Sequence, residues 1–273
     1  MLGEILPAAQ GDETILEIVD VHLSFAGIKA IDGVSLRVRN GELLAVIGPN
    51  GAGKTSIFNC ISGVYRPQVG AVRFLGHDLT SMKPHKIADL GVARTFQNIE
   101  LFPRLTVLDN LMLGRHQHLH YGTAAAMIRI GKASREERRS RAVVEGIIEF
   151  LEIQQYRKAY VAMLPYGIQK RVELGRALAM EPKLLLLDEP AAGMNLEETE
   201  DMARFITDIR RELGIGIVLV DHDMRMVMDL ADTILAIDFG KPIASGTPSE
   251  IQSNRDVIRA YLGQEHSTAG GSE

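Results

Sequence analysis

A chain of 273 residues, 46% hydrophobic and 24% charged, can bury a sizeable core and falls within the ordinary range for a globular protein of one or two domains. A net charge of −5 argues against a nucleic-acid binder, and no apolar run approaches the ~18–20 residues that cross a bilayer, 215–220 being about the longest. The chain does not open on a basic stretch followed by an apolar one, and its single Cys60 forms no intrachain disulfide, so a reducing, cytosolic setting is expected.

The first dozen residues are polar and Gly-containing, and a loose N-terminal end is expected there. Val19, Val21, Leu23 and Phe25 alternate with Asp20, His22 and Ser24, and Val34, Leu36 and Val38 alternate with polar neighbours. Both segments read as strands with one wet face. Leu43-Leu44-Ala45-Val46-Ile47 is instead uniformly apolar, as in a strand buried on both sides. A Gly-rich octet follows, and then 56–61, free of Gly and Pro, reads as a helix. Residues 70–74 add a further strand before the turn at Gly76-His77-Asp78, completing an antiparallel layer.

The middle of the chain, about 98–180, is expected to be an all-helical insert. Ser134 and Glu137 have the spacing of a capping box, and Val143, Ile147 and Leu151, with Val144 and Ile148 beside them, share one helical face. Leu184–Leu187 and 217–220 are again continuous apolar runs, hence buried parallel strands. A last strand pair, 233–237 and 242–244, turns at Asp238-Phe239-Gly240, and Thr247-Pro248-Ser249-Glu250 opens a helix. The tail 266–273 is expected to be loose. The expected architecture is one α/β domain over 14–265, a nucleotide-binding core flanked by an antiparallel β-subdomain and interrupted by a helical subdomain.

The octet Gly48-Pro49-Asn50-Gly51-Ala52-Gly53-Lys54-Thr55, followed by Ser56, fits G-x-x-x-x-G-K-[ST] between a strand and a helix. Backbone N–H groups of such a loop, and the half positive charge at the helix start, favour phosphate. A nucleoside triphosphate, with Mg2+, is the implied ligand. Lys54 suits the outer phosphates and the Thr55 hydroxyl suits the metal. A second metal contact should be a carboxylate at the end of a buried strand, and Asp188 stands there, after four leucines that cannot hold a charge. Glu189 is then the general base for water, a role worth about 10²–10⁴ in rate. Gln97, at the junction of core and insert, can touch both metal and water. His222, after the buried run 217–220 and Asp221, can reach the γ-phosphate. His116, His118 and His120 have no Cys or carboxylate at ligand spacing, so they read as solvated surface. Cys60 reads as a small buried hydrophobe.

Together, 48–56, Gln97 in its loop, LPYGIQKRVELGRAL at 164–178, LLLLDEP at 184–190 and His222 resemble the ATP-binding subunits of ABC transporters over about 15–263. The resemblance implies an ABC ATPase fold and two subunits facing head to tail, with ATP held between one phosphate loop and the other's 164–178 segment. Gly167, ahead of a helix expected from about Gln169, and Gln169 itself would then face the partner's nucleotide. Phe25 is a candidate adenine platform by resemblance, although its parity with Leu23 equally suits core.

Residues 85–102, 190–195 and 257–263 look like the longer of the two ATPases of branched-chain amino acid importers. That implies a second ATPase subunit, two membrane permeases, an external solute-binding protein reached indirectly, and a place on the cytoplasmic face of the bacterial inner membrane. Other solutes, such as urea or short amides, and lipopolysaccharide export are the alternatives. Soluble ABC ATPases typically carry a long coiled-coil insert or two fused nucleotide domains, and this chain has neither. Two departures from the family pattern stand out: in the 164–178 segment Pro165 stands where Ser is usual and Ile168 where Gln is frequent, and Asn195 stands where many relatives place Asp. Pro165 lacks both a hydroxyl and an N–H, which implies a weakened partner site and an asymmetric pair.

Overall fold

Residues 2–6, 13–116 and 132–268 are described by the computed structural model. Two sheets organise them. Strands β1 (Thr14–Phe25), β2 (Ile28–Arg39), β4 (Val69–Phe74) and β5 (His77–Asp78) form a four-stranded antiparallel sheet in the order β2-β1-β4-β5. Strands β3 (Leu43–Ile47), β6 (Val92–Arg94), β7 (Leu184–Asp188), β8 (Gly216–Val220), β9 (Thr233–Asp238) and β10 (Lys241–Gly246) form a six-stranded sheet in the order β10-β9-β3-β8-β7-β6. All its pairings are parallel except β9 with β10. The hairpin joining those two turns on Phe239 and Gly240, both at positive φ, as a tight two-residue turn requires.

The apolar runs read from the sequence are walls between two cores. Alternate residues of β3, β7 and β8 go to opposite faces. Leu43, Ala45, Ile47, Leu185, Leu187, Ile217 and Leu219 join one cluster with the helical subdomain. Leu44, Val46, Leu184, Leu186, Val218 and Val220 join the other, with the antiparallel layer. Because both faces are covered, every residue of these three strands is buried, which is why they carry no alternation.

β1 departs from the expected parity. Leu16 and Ile18 are buried, then Val21 and Leu23, while Val19 is exposed. A bulge at Val19-Asp20, with Asp20 at φ 46, shifts the register against both β2 and β4 and turns the later residues over. β6 is a short strand that the sequence reading did not contain.

The helices are α1 (Leu2–Ile5), α2 (Lys54–Ile61), α3 (Pro84–Asp89), α4 (Val107–Gly114), α5 (Lys132–Phe150), α6 (Tyr166–Leu178), α7 (Leu196–Leu213), α8 (Met224–Leu230), α9 (Pro248–Gln252) and α10 (Arg255–Thr268). Val143, Val144, Ile147, Ile148 and Leu151 are buried as their spacing predicts. α5 is already under way at Lys132, so Ser134 lies inside the helix rather than capping it. The Thr247–Glu250 capping box does form. A loose N-terminal end was expected; α1 instead docks against α5 and α7, and Leu6 is buried. α10 likewise runs on to Thr268, into the segment expected to be loose. No helix among the described residues is long and apolar enough to cross a membrane.

Candidate functional site

Strands β3, β6, β7 and β8 run parallel, so the segments that leave their carboxyl ends gather along one edge of the sheet, where open α/β sheets bind ligands. These segments hold the phosphate loop after β3, Gln97 after β6, Asp188 and Glu189 at and after β7, and His222 after β8. They close on a cleft of about 340 Å³ lined by 50–56, Gln97, Glu189 and His222, with 28–30 on its far wall.

The loop's glycines are required by its path. At Gly53, φ 105, a Cβ would lie 2.3 Å from the Ala30 carbonyl oxygen. At Gly48 it would lie 2.2 Å from that of Ile237. Lys54 opens α2, and its buried ammonium donates to the carbonyls of Gly48 (2.7 Å) and Pro49 (2.9 Å). Gly48 and Pro49 therefore shape the loop through their backbone and do not line the cleft. Burial lowers the Lys54 pKa, while the nearby charges of Glu189 and Asp188 pull it back up. Thr55 is exposed in the cleft wall.

Glu189 stands at the mouth of the cleft with both carboxylate oxygens engaged. Gln97 Nε2 donates to Oε2 at 2.8 Å, and His222 Nε2 lies 2.8 Å from Oε1. An ionised carboxylate only accepts, so His222 presents a protonated Nε2. Glu189 is at φ 49 and precedes Pro190, an unfavourable combination for a residue with a Cβ. Its N–H is anchored to the Val220 carbonyl at 2.7 Å. The left-handed backbone is what swings Glu189 into the cleft while Asp188, one residue earlier, stays within the sheet.

Asp188 is buried and does not line the cleft directly; its Oδ2 accepts from Arg94 at 2.7 Å. Thr55, Asp188 and Gln97, whose amide oxygen is left over from the bond to Glu189, form an oxygen set with one carboxylate. Mg2+ binds in that way, with phosphates and water completing its shell. The residues present thus fit that ion. Among the described residues no cluster of three or more His, Cys, Asp or Glu could hold a metal by itself. His116 is solvent-exposed, as read from the sequence, and His118 and His120 lie outside the described residues.

Three expected site residues stand away from this cleft. Phe25 is 45% exposed, so the core alternative fails; its ring meets Tyr65 edge-on at 4.9 Å. Gly167 and Gln169 lie in the first turn of α6, which starts at Tyr166, earlier than expected. Gly167 is buried against Glu198, whose Oε1 a Cβ would meet at 2.2 Å. Gln169 turns its amide onto the Leu164 carbonyl at 2.8 Å. Pro165 is the N-cap of α6 and supplies no side-chain cap. Asn195 caps α7 reciprocally with Glu198, so its side-chain oxygen is already engaged within this chain.

Sequence reasoning missed the charged groups behind the site. Lys170 and Glu173, both 2% exposed, grip the loop that bears Gln97. Lys170 Nζ donates to the Gln97 carbonyl at 2.9 Å, and Glu173 Oε1 accepts from the Phe96 N–H at 3.2 Å. Burial lowers the Lys170 pKa and raises that of Glu173, each partly opposed by the other's charge.

Residues 31–192 match the family described as "ABC transporter", and 241–267 match "Branched-chain amino acid ATP-binding cassette transporter". The chain is 40% identical to the high-affinity branched-chain amino acid transport ATP-binding protein BraF of Pseudomonas aeruginosa, over 92% of this chain and 98% of the relative. It is 37% identical to LivG of Salmonella typhimurium, named for the same transport role, over 92% and 99%. Among solved structures, the ADP conformation of MJ1267, an ATP-binding cassette of an ABC transporter, superposes with a TM-score of 0.79 at 28% identity, covering 92% of this chain and 99% of that one.

Proposed function

Since the chain belongs to the ABC transporter ATP-binding family, we propose that it hydrolyses ATP at the cytoplasmic face of the bacterial inner membrane to drive import of branched-chain amino acids. The hydrolytic part is carried by one observation: the Glu189 carboxylate, held between Gln97 and His222 at the mouth of the phosphate-loop cleft. The cargo rests on the relatives' transport role and the matching C-terminal segment.

The chemistry follows from where these groups sit. Backbone N–H groups of the loop and the start of α2 receive the phosphates, and Lys54 neutralises their outer charge. Thr55, Asp188 and the Gln97 amide oxygen would hold Mg2+, which when bound offsets charge on the phosphate oxygens. Glu189 accepts a proton from the attacking water, and Gln97 and His222 keep its carboxylate aimed. With nucleotide bound, His222 would turn its Nε2–H from Glu189 to the γ-phosphate.

Gly167 and Gln169 do not line their own chain's cleft, which suits a second ATPase subunit docked head to tail. The bare N–H groups at the start of α6 then point at the partner's nucleotide. With Pro165 as a cap without a hydroxyl, that partner site is the weaker of the two, and the site built on Lys54 and Glu189 turns over faster. A groove of about 390 Å³, lined by Val64, Ile87, Phe96, Leu113 and Met180 among others, lies beside the Gln97 loop and suits the permease subunits. The external solute-binding protein would act through those permeases.

The test is reconstitution with the cognate permeases and binding protein in vesicles loaded with ATP. Leucine, isoleucine and valine should enter, and Lys54→Ala should abolish entry. Uptake at full rate in the Lys54→Ala complex overturns the ATPase reading. ATP-driven uptake of other solutes, with these three excluded, overturns the cargo.

A further inference from the structure

We propose that Arg94 is a positioning residue for Asp188, and that its hold on one carboxylate oxygen sets how tightly the site takes Mg2+. The inference rests on the reading of the cleft as a magnesium-nucleotide site. The side chains that would hold the metal sit on different elements: Thr55 on α2, Asp188 at the end of β7 and Gln97 after β6. The Arg94 guanidinium ties the Asp188 carboxylate to α2 through Asn59, four residues beyond Thr55.

β6 pairs with β7 so that Arg94 lies opposite Leu186, two residues short of Asp188. Its NH2 donates to Asp188 Oδ2 at 2.7 Å. Its NH1 donates to Asn59 Oδ1 at 2.7 Å and approaches Ser62 Oγ at 3.4 Å, tying the same group to α2 and the residue that ends it. The guanidinium lies 5.4 Å from the centre of the Phe58 ring and 5.1 Å from that of Phe96. Both members of the ion pair are nearly sealed from water, with 9% and 4% of their side chains exposed.

The arginine's own bonding is incomplete: its Nε is buried without a hydrogen-bond partner. The fit is made instead at Asp188 and Asn59. One carboxylate oxygen is thereby occupied, and Oδ1 remains to serve the metal. Groups that orient a metal ligand from behind typically alter metal affinity about 10–100-fold when removed.

The experiment uses the purified full chain saturated with a non-hydrolysable ATP analogue, with Mn2+ binding read by electron paramagnetic resonance. Arg94→Met keeps the apolar stem and removes the donors. Its affinity for the analogue in EDTA should match wild type, while Mn2+ binding weakens at least tenfold. Arg94→Lys, a single point charge, should recover part of the loss. Asn59→Leu leaves the charge but releases its orientation, and should weaken Mn2+ binding by about threefold or more. Arg94→Met binding Mn2+ within twofold of wild type overturns the proposal. Should Arg94→Met fail to fold, by its circular dichroism melt, an Asn59→Leu chain indistinguishable from wild type overturns it. Wild type that takes no Mn2+ with the nucleotide refutes the underlying site reading instead.

Discussion

Replacing Glu189 by Gln isolates the base from everything else the residue does. The side chain keeps its length and the backbone keeps its φ of 49, so the turn into the cleft is unchanged. Glu189 accepts two hydrogen bonds, from Gln97 and from His222. A glutamine there can accept one and must donate to the other. His222 is 45% exposed and can present its unprotonated ring nitrogen, so the exchange should alter stability by less than about 1 kcal/mol. What disappears is proton acceptance, worth about 10²–10⁴ in rate, or about 3–5 kcal/mol of barrier. ATP affinity should hold. Glu189→Gly makes the complementary test: it also loses the base, but it releases a left-handed conformation that costs a non-glycine residue about 1–2 kcal/mol, so the chain should be as stable as wild type or more so. The assays are phosphate release by the assembled complex, equilibrium ATP binding and urea denaturation. A Glu189→Gln complex with intact ATP binding and more than a tenth of wild-type turnover refutes the assignment of Glu189 as base.

Three further outcomes are expected. Cys60 is buried and its thiol is pushed up to about 12 by loss of solvation, so a thiol reagent at pH 8 should leave the folded chain untouched and titrate one thiol after denaturation; rapid labelling of the native chain would show the α2 packing to be wrong. Burial raises the Asp221 pKa above 3.8, against a bond from the Asp223 N–H, so the native carboxyl holds its proton to higher pH than the unfolded one. Its stabilising contribution is therefore complete below 3.8 and lost as pH rises through the native value. Relative to Asp221→Asn, wild type should lose stability over that window, and parallel pH profiles would contradict it. Lys170→Met strands Glu173 as a buried charge and should cost about 3–5 kcal/mol in urea denaturation, whereas Lys170→Met with Glu173→Met should cost less than that single change; an additive pair would show that the two charges are independent.

That the phosphate loop, Asp188, Glu189 and His222 gather at one edge of the sheet was legible from adjacent residues: a Gly-rich loop between strand and helix, and polar residues at the ends of apolar runs. The two-layer plan was legible for the same reason. Uniform apolarity in β3, β7 and β8 and alternation in β2 distinguish strands buried on two faces from those wetted on one. β1 was misread at Val19 because one bulge residue flips every later side chain, and Asp20 at positive φ carries no mark that separates it from any other aspartate. β6 has three residues, too few to show a period. Arg94, Lys170 and Glu173 escaped because each acquires its meaning from a partner more than 70 residues away in the chain. Propensity and periodicity act over a few residues and cannot report such pairs.

Those distant contacts locate a joint in the molecule. On the sheet side, the Thr95 N–H donates to the Leu186 carbonyl at 2.9 Å, and Thr95 Oγ1 accepts from the Asp188 N–H at 3.4 Å, so residue 95 belongs to the core. From residue 96 onward the backbone is fastened to α6 instead. Glu173 holds the Phe96 N–H, Lys170 the Gln97 carbonyl, and Arg176 the Glu100 carbonyl. Lys170, Glu173 and Arg176 recur every three residues along one side of that helix, and its first turn carries Gly167. Anything that shifts α6 against the sheet must be absorbed between Thr95 and Phe96, and it carries Gln97 with it. Gln97 is one of the two groups that aim Glu189. The position of Gly167, which does not line this chain's own cleft, is thus tied by side-chain contacts to the Glu189 carboxylate, the proposed base for water. Two copies of such a cassette in head-to-tail contact would sense each other's nucleotide without any further element.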